Sequence, residues 1–320
     1  MDGDLWAIVL ATEEGTRLAP VTRLLYGCEV PKQFAFLDGD RSLLQQTMDR
    51  IGPLVAPRRT VVVVAHQRRA MAEAQLARYP GVQIVSQPLN AGTAPGVLLP
   101  LSVIKAQCPK ATVMVTPSDH YFPAIEPFLD AARLAVQTVR ESPSGLVVLG
   151  AEAERADTEL SWIVPEDPAV TPEVQVALAD FFVEKPSAAA AADLLREGGL
   201  WNTMVVLGSV ESFWRHARRH LPGQIAIFNR YVEALAETEG QGHAASDELL
   251  GHLYRSMPRA DFSRSILHNV QGTAVVTIKG SGWCDCGTPE RLLGCLGDAV
   301  GQGRLAELRA ALQSLIPAAN

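Results

Sequence analysis

Short runs of consecutive apolar residues alternate along this chain with stretches in which apolar positions recur every three or four residues. The near-continuous runs at 5–11 (LWAIVLA), 60–65 (TVVVVA), 82–86, 112–116 (TVMVT), 145–150, 174–183, 200–207 and 273–279 predict strands buried on both faces. Between them, residues 42–51, 67–79, 97–106, 124–140 and 187–197 predict helices, with Ser42 as a candidate N-cap and Gly198-Gly199 as a stop. Further helices are predicted around 210–220, 224–237, 246–255, 289–300 and 304–316. Repeated strand–helix units predict an α/β fold with a mostly parallel, doubly wound sheet, and in such sheets ligands collect beyond the carboxyl ends of the strands.

The loop after the first strand carries Gly15, Thr16 and Arg17, with Lys32 just beyond. Backbone N–H groups near a glycine, one guanidinium and one ammonium make a candidate phosphate cradle, in which Glu13 and Glu14 are out of place. A second glycine-bearing loop, 87–96, precedes the apolar 97–106 segment on the same sheet edge. The strand at 112–116 runs into Pro117-Ser118-Asp119-His120, and a carboxylate there is a candidate magnesium ligand, against the plainer reading of a turn aspartate. Asp285, among glycines after the last strand, is a second candidate. Trp162 reads equally as a pocket wall or as core, and Lys185 by itself as a solvated lysine.

Composition narrows the partners. With 320 residues, 48% of them hydrophobic, the chain can bury one large α/β core, and a net charge of −7 excludes a general nucleic-acid or membrane-surface binder. The acidic start MDGDLW and the brevity of the first apolar run predict neither a leader nor a membrane span, hence a cytoplasmic protein. Five cysteines form a sparse, odd set, expected to be reduced, and the Cys284-Asp285-Cys286 spacing lacks a second ligand pair for zinc. The histidines at 216 and 220 also lack a third ligand and read as part of a solvated basic helix face.

Taken together, GTRL (15–18), PKQF (31–34), GTAPG (92–96), PSDH (117–120), FVEKP (182–186), LWN (200–202) and GWxDxG (282–287) resemble the sugar-phosphate nucleotidyltransferases, with mannose-1-phosphate guanylyltransferases nearest. The motifs follow the family's order over nearly the whole chain. The resemblance implies a Rossmann-like, glycosyltransferase A-like fold of three α/β/α layers over residues 1–287. Helices at 288–320 would pack on it, with no separate C-terminal β domain. It implies transfer of a nucleoside monophosphate from a triphosphate, GTP favoured, to a sugar 1-phosphate, mannose 1-phosphate favoured, with Mg2+ as cofactor and pyrophosphate released. Arg17, Lys32 and Lys185 would act on the phosphates, and Asp119 and Asp285 would hold the metal. Leu10, Ala11, Gly15, Thr16, Gln87, Gly92, Thr93, Ala94 and Ser118 would bind the nucleotide. Glu184, Asn202 and Trp162 would bind the sugar phosphate. A homodimer is a candidate assembly.

The chain departs from the family where Thr12 and Glu13 replace a paired glycine, and at Ala91, Ser161, usually a pocket glycine, and Met204. A carboxylate roughly 4 Å from a phosphate costs about 1 kcal/mol in water. The competing expectation is therefore a catalytically weakened homologue that binds a nucleotide sugar or regulates an active partner subunit.

Overall fold

The apolar run that opens the chain forms strand β1 (Leu5–Ala11), and it lies inside the sheet because both of its faces need cover. The computed structural model describes residues 4–13, 15–37, 39–142, 145–166, 176–237, 244–296 and 310. In it β1 pairs in parallel with β2 (Thr60–Ala65) and β4 (Thr112–Pro117), and β3 (Gln83–Gln87) adds in parallel beyond β2. A second parallel pair is β5 (Leu146–Glu152) with β9 (Ala274–Ile278). The antiparallel pair β6 (Ser161–Pro165) and β7 (Val176–Glu184) lies at the far edge, and β8 (Leu200–Ser209) runs antiparallel between β4 and β5. The order is β3-β2-β1-β4-β8-β5-β9-β7-β6, with β6 also pairing β8.

Side chains alternate between two cores, which makes the three expected layers. Ile8, Val61 and Val63 pack against α4 (Thr93–Gln107), α7 (Val210–His220), α8 (Pro222–Glu237) and α9 (Ala244–Arg255). Ala7, Val9, Val62 and Val64 pack against α2 (Leu43–Ile51), α3 (Arg69–Leu76), α5 (Glu126–Glu141) and α6 (Ala188–Arg196). Ser42 caps α2 with the reciprocal Ser42–Gln45 capping box. Shorter helices are α1 (Ala19–Tyr26), α10 (Phe262–Ser265) and α11 (Pro289–Leu296). The expected helix at 304–316 apart from residue 310, the end of the expected helix at 297–300 and the strand start at 174–175 lie outside the described residues.

The doubly wound α/β class holds, but the sheet is mixed: the parallel order of β3-β2-β1-β4 stops at β8. Burial on both faces leaves the same apolar run whichever way a strand points, so direction was not in the pattern. Helix α4 starts at Thr93, four residues before the expected 97. Ala94 to Ile104 are all buried, so it shows no polar face and no helical period. Pro95 sits in its first turn, where a missing N–H costs little. No described helix is long and apolar enough to cross a membrane.

Candidate active site

The loop after β1 is held by the segment 31–34. Gly15 adopts φ 58°, ψ 35°, and a Cβ there would stand 2.9 Å from Lys32 Cβ, so only glycine lets the two backbones come this close. Gln33 is buried, and its Nε2 donates to the carbonyls of Ala11 at 3.1 Å and Glu13 at 2.7 Å. Ser118 ties β4 to β1 by donating through N and Oγ to Leu10 O, at 3.0 and 2.7 Å.

Lys32 is the point where three sequence-distant motifs meet. Its buried ammonium stands 2.8 Å from Asp119 Oδ2 and donates to Asp285 O at 2.6 Å. Burial alone would depress the Lys32 pKa, but Asp119 above all outweighs it and the pKa is raised. Burial likewise pushes the Asp119 carboxyl up, yet Lys32 and then His120 bring it below the ordinary carboxylate range. Glu13 keeps much of its residue surface in water, while its carboxyl lies in the field of Asp119. That repulsion first, then desolvation, raises its pKa against the pull of Lys32 and Arg17. Glu14 lies outside the described residues.

The loop carrying Asp285 is stitched to the loop carrying Asp119. Tyr121 and Cys284 exchange backbone hydrogen bonds of 2.8 and 3.0 Å, and Trp283 Nε1 donates to His120 Nδ1 at 3.2 Å. The accepting Nδ1 puts the imidazole proton on Nε2, 3.8 Å from Asp119 Oδ1, and burial lowers the His120 pKa to about 4. Beneath them Arg50 is buried against the Phe122 ring at 4.4 Å and donates to His120 O at 3.4 Å, and burial lowers its pKa to about 9.

Asp285 has a partner that sequence reasoning missed. Arg291 Nη2 donates to its Oδ2 at 2.9 Å, with Nε 2.9 Å from Oδ1 adding charge attraction, and Arg291 Nη1 stands 3.4 Å from Asp157 Oδ1. Its only sequence signal was a cation shortly after the Asp285 motif. Burial pushes the Cys286 thiol up to about 12, which leaves it inert, and Cys28 and Cys108 are also free. Cys284 is disulfide-bonded, against the expectation of a fully reduced set. A sparse cysteine count limits how many pairs can form, whereas tertiary packing decides whether one does.

Farther along the same edge, Glu184 ends β7 and Lys185 follows it, exposed and in the left-handed region at φ 46°. Asn202 is buried on β8 and accepts from Met204 N at 2.9 Å, next to a bulge that puts Met204 at φ 56°. Trp162 corrects an expectation: it is fully buried, donates Nε1 to Asp157 O at 2.9 Å and packs edge-on against Trp201, so it is core and presents no surface to a sugar. Period-2 alternation turns it inward while its neighbour Ser161 turns to the other face.

Arg17 and Thr16 are exposed, and Arg17 stands 3.7 Å from Glu159, both about half in solvent, so the pair is weak and separable. Gln87 is buried at the end of β3, near Gly96 and Thr12, with its Nε2 unpartnered. The 92–94 turn is already engaged: Ala94 N donates to Ala260 O at 3.1 Å, and Thr93 Oγ1 donates to Asp261 Oδ2 at 3.0 Å and accepts from Phe262 N at 2.8 Å. Segment 260–262, which the hydrophobic pattern did not mark, thus covers that turn.

The likeness of the motifs has a direct counterpart, because a family model described as nucleotidyl transferase matches residues 6–298. The chain belongs to the nucleotidyl transferase family. The alginate biosynthesis protein AlgA of Pseudomonas fluorescens is 27% identical over 284 residues, 88% of this chain and 56% of that protein. A mannose-1-phosphate guanylyltransferase of Escherichia coli is 25% identical over 295 residues, 90% of this chain and 60% of that one. The chain therefore spans little more than half the length of these curated relatives. A solved structure described as a mannose-1-phosphate geranyltransferase from Thermus thermophilus matches with TM-score 0.79 and 26% identity over 94% of this chain and 83% of its own. The inositol-1-phosphate CTP transferase of T. maritima, TM-score 0.55 at 15% identity, shares the nucleotidyltransferase fold.

Proposed function

We propose that this nucleotidyl transferase family member transfers a nucleoside monophosphate from a triphosphate, GTP favoured, to a sugar 1-phosphate, mannose 1-phosphate favoured, releasing pyrophosphate. The observation that carries this is the Lys32 ammonium between Asp119 and Asp285 O, which sets one cation and two carboxylate-bearing loops at a single sheet edge. Donors for magnesium are of the right kind. Asp119 and Asp285 offer hard carboxylate oxygens, one from each of two loops joined at Lys32. That pattern suits an ion that takes one or two carboxylates and completes its shell with water and phosphate.

Asp119 and Asp285 would hold the Mg2+, which when bound offsets charge on the phosphates. Lys32 and Arg17 would neutralise the triphosphate, and Leu10, Ala11, Gly15, Thr16, Gln87, Ser118 and the 92–94 turn would frame the nucleotide. Lys185 would meet the phosphate of the acceptor, with Glu184 and Asn202 on its hydroxyls. The sugar 1-phosphate oxygen then attacks the α-phosphorus in line with departing pyrophosphate, and the protein contributes positioning and charge. Residues 1–287 would form the transferase domain, with 288–320 as helices packed on it, in a cytoplasmic protein.

Glu13 favours a second reading, a weakened homologue that binds nucleotide sugar or regulates an active partner subunit, because its carboxyl is repelled by Asp119. One assay separates them: the protein, magnesium, mannose 1-phosphate and each of four triphosphates, followed by pyrophosphate release. Release with GTP supports the transferase; binding of a nucleotide sugar without release from any triphosphate and hexose 1-phosphate supports the second reading.

A further inference from the structure

Three antiparallel strands bring Ser161, Glu184 and Asn202 side by side. Ser161 is the direct partner of Glu184 in the β6–β7 ladder, and one step on from the Trp162–Trp201 pair it comes opposite Asn202 on β8. Residues opposite one another in an antiparallel ladder share a face, here the face away from the buried Trp162 and Trp201. Two residues before Glu184 on that face, Phe182 stacks on the ring of His268, with centroids 5.5 Å apart and planes 10° from parallel.

The hydrogen-bond inventory of this row is incomplete. Ser161 Oγ donates to Glu184 Oε2, so one glutamate oxygen is engaged and the serine lone pairs stay available. Asn202 Oδ1 is used by Met204 N, whereas its buried Nδ2 has no partner. His268 Nε2 is also buried and unpartnered. A buried polar atom without a partner costs about 1–3 kcal/mol, so the Asn202 Nδ2 donor and the His268 ring nitrogen in the row with the Glu184 carboxylate mark a place that a ligand completes. A vicinal diol fits, one hydroxyl donating to Glu184 and its neighbour accepting from Asn202.

We infer that Ser161 and His268 are specificity-determining residues, which select the hydroxyl configuration of the hexose 1-phosphate seated against Glu184 and Asn202. The inference rests on the transferase reading and extends it to the choice of sugar. With glycine at 161 the Glu184 carboxylate would turn freely toward any nearby hydroxyl. The serine fixes one carboxylate oxygen and adds an acceptor of its own, and His268 stacks on Phe182, two residues along β7 from Glu184.

The test compares the full chain with Ser161→Gly, Ser161→Ala, His268→Phe and His268→Asn. Pyrophosphate release is measured with mannose 1-phosphate and glucose 1-phosphate, which differ at C2, and galactose 1-phosphate, which differs from glucose at C4. Each variant is expected to shift the ratio of kcat/KM between epimers by roughly threefold to tenfold, the worth of one hydrogen bond, with KM for the triphosphate unmoved. An unchanged ratio, or an equal loss for all three sugars, overturns the inference. Two substitutions at each position, checked by thermal melting, guard against a variant that fails to fold. If the unaltered protein turns over no pair, the transferase reading falls, and calorimetric titration of the three hexose 1-phosphates decides the pocket separately. An epimer preference that Ser161→Gly shifts supports it; no binding, or an unshifted preference, overturns it.

Discussion

Lys32 and Asp119, from motifs far apart in the chain, meet at 2.8 Å in a place where neither side chain reaches much solvent. Each favours the charged form of the other against the cost of burial. Lys32→Met should leave an uncompensated buried carboxylate and lower stability by about 3–5 kcal/mol. It should also remove most of the transferase activity. Chemical denaturation alongside pyrophosphate release checks both, and a variant as stable as the parent would mean that the ion pair does not hold the two motifs together.

The same pair sets a pH window. The folded pKa of Asp119 is lowered, so its contribution is present above the unfolded value of about 3.9 and is lost as pH falls through the folded one. The folded pKa of Lys32 is raised, so its contribution is complete below about 10.4 and is lost as pH rises through the folded value. Melting temperature against pH should show a plateau between these limits, and Asp119→Asn should flatten its acid edge.

Glu13→Gly should bind triphosphate about fivefold more tightly at neutral pH, since about 1 kcal/mol of repulsion disappears. Because the Glu13 pKa is raised in the fold, the removed penalty belongs to its ionised form. Both the affinity gain and any rise in melting temperature should therefore shrink as pH falls. Titration calorimetry at two pH values checks this, and an equal affinity at neutral pH would place the carboxylate away from the phosphates.

Arg291 holds Asp285 with two nitrogens at 2.9 Å. Arg291→Lys keeps the charge and loses the planar fork, so apparent affinity for Mn2+ in the presence of nucleotide should drop about tenfold, read by calorimetry or electron paramagnetic resonance. An unchanged affinity would make Arg291 a structural partner of Asp157 alone.

Gly92 at φ 95° lies where an added Cβ would stand 2.3 Å from Ala260 O. Gly92→Ala should cost about 2 kcal/mol or more by urea denaturation, because left-handed strain adds to displacement of the 260–262 segment. A smaller loss would show that this segment is easily displaced from the 92–94 turn.

Much of the molecule was legible in the chain itself. Runs such as LWAIVLA and TVVVVA located strands, the Ser42 box located a helix start, and motif order identified the family, because local burial and backbone chemistry leave their mark residue by residue. What the pattern did not carry was anything that depends on a distant partner. The antiparallel sense of β8, the early start of α4 under a wholly apolar cover, and the inward turn of Trp162 each follow from packing between elements. So do the fork of Arg291 on Asp285 and the row of Ser161, Glu184 and Asn202. The sequence by itself determined most strands and helices, though not β6, α1 or α10, and which charged residues the family site draws on, since those rest on local spacing. Only the tertiary structure decided which charges neutralise one another, because Coulomb and hydrogen-bond energies depend on separations of a few ångströms between residues that the chain keeps far apart.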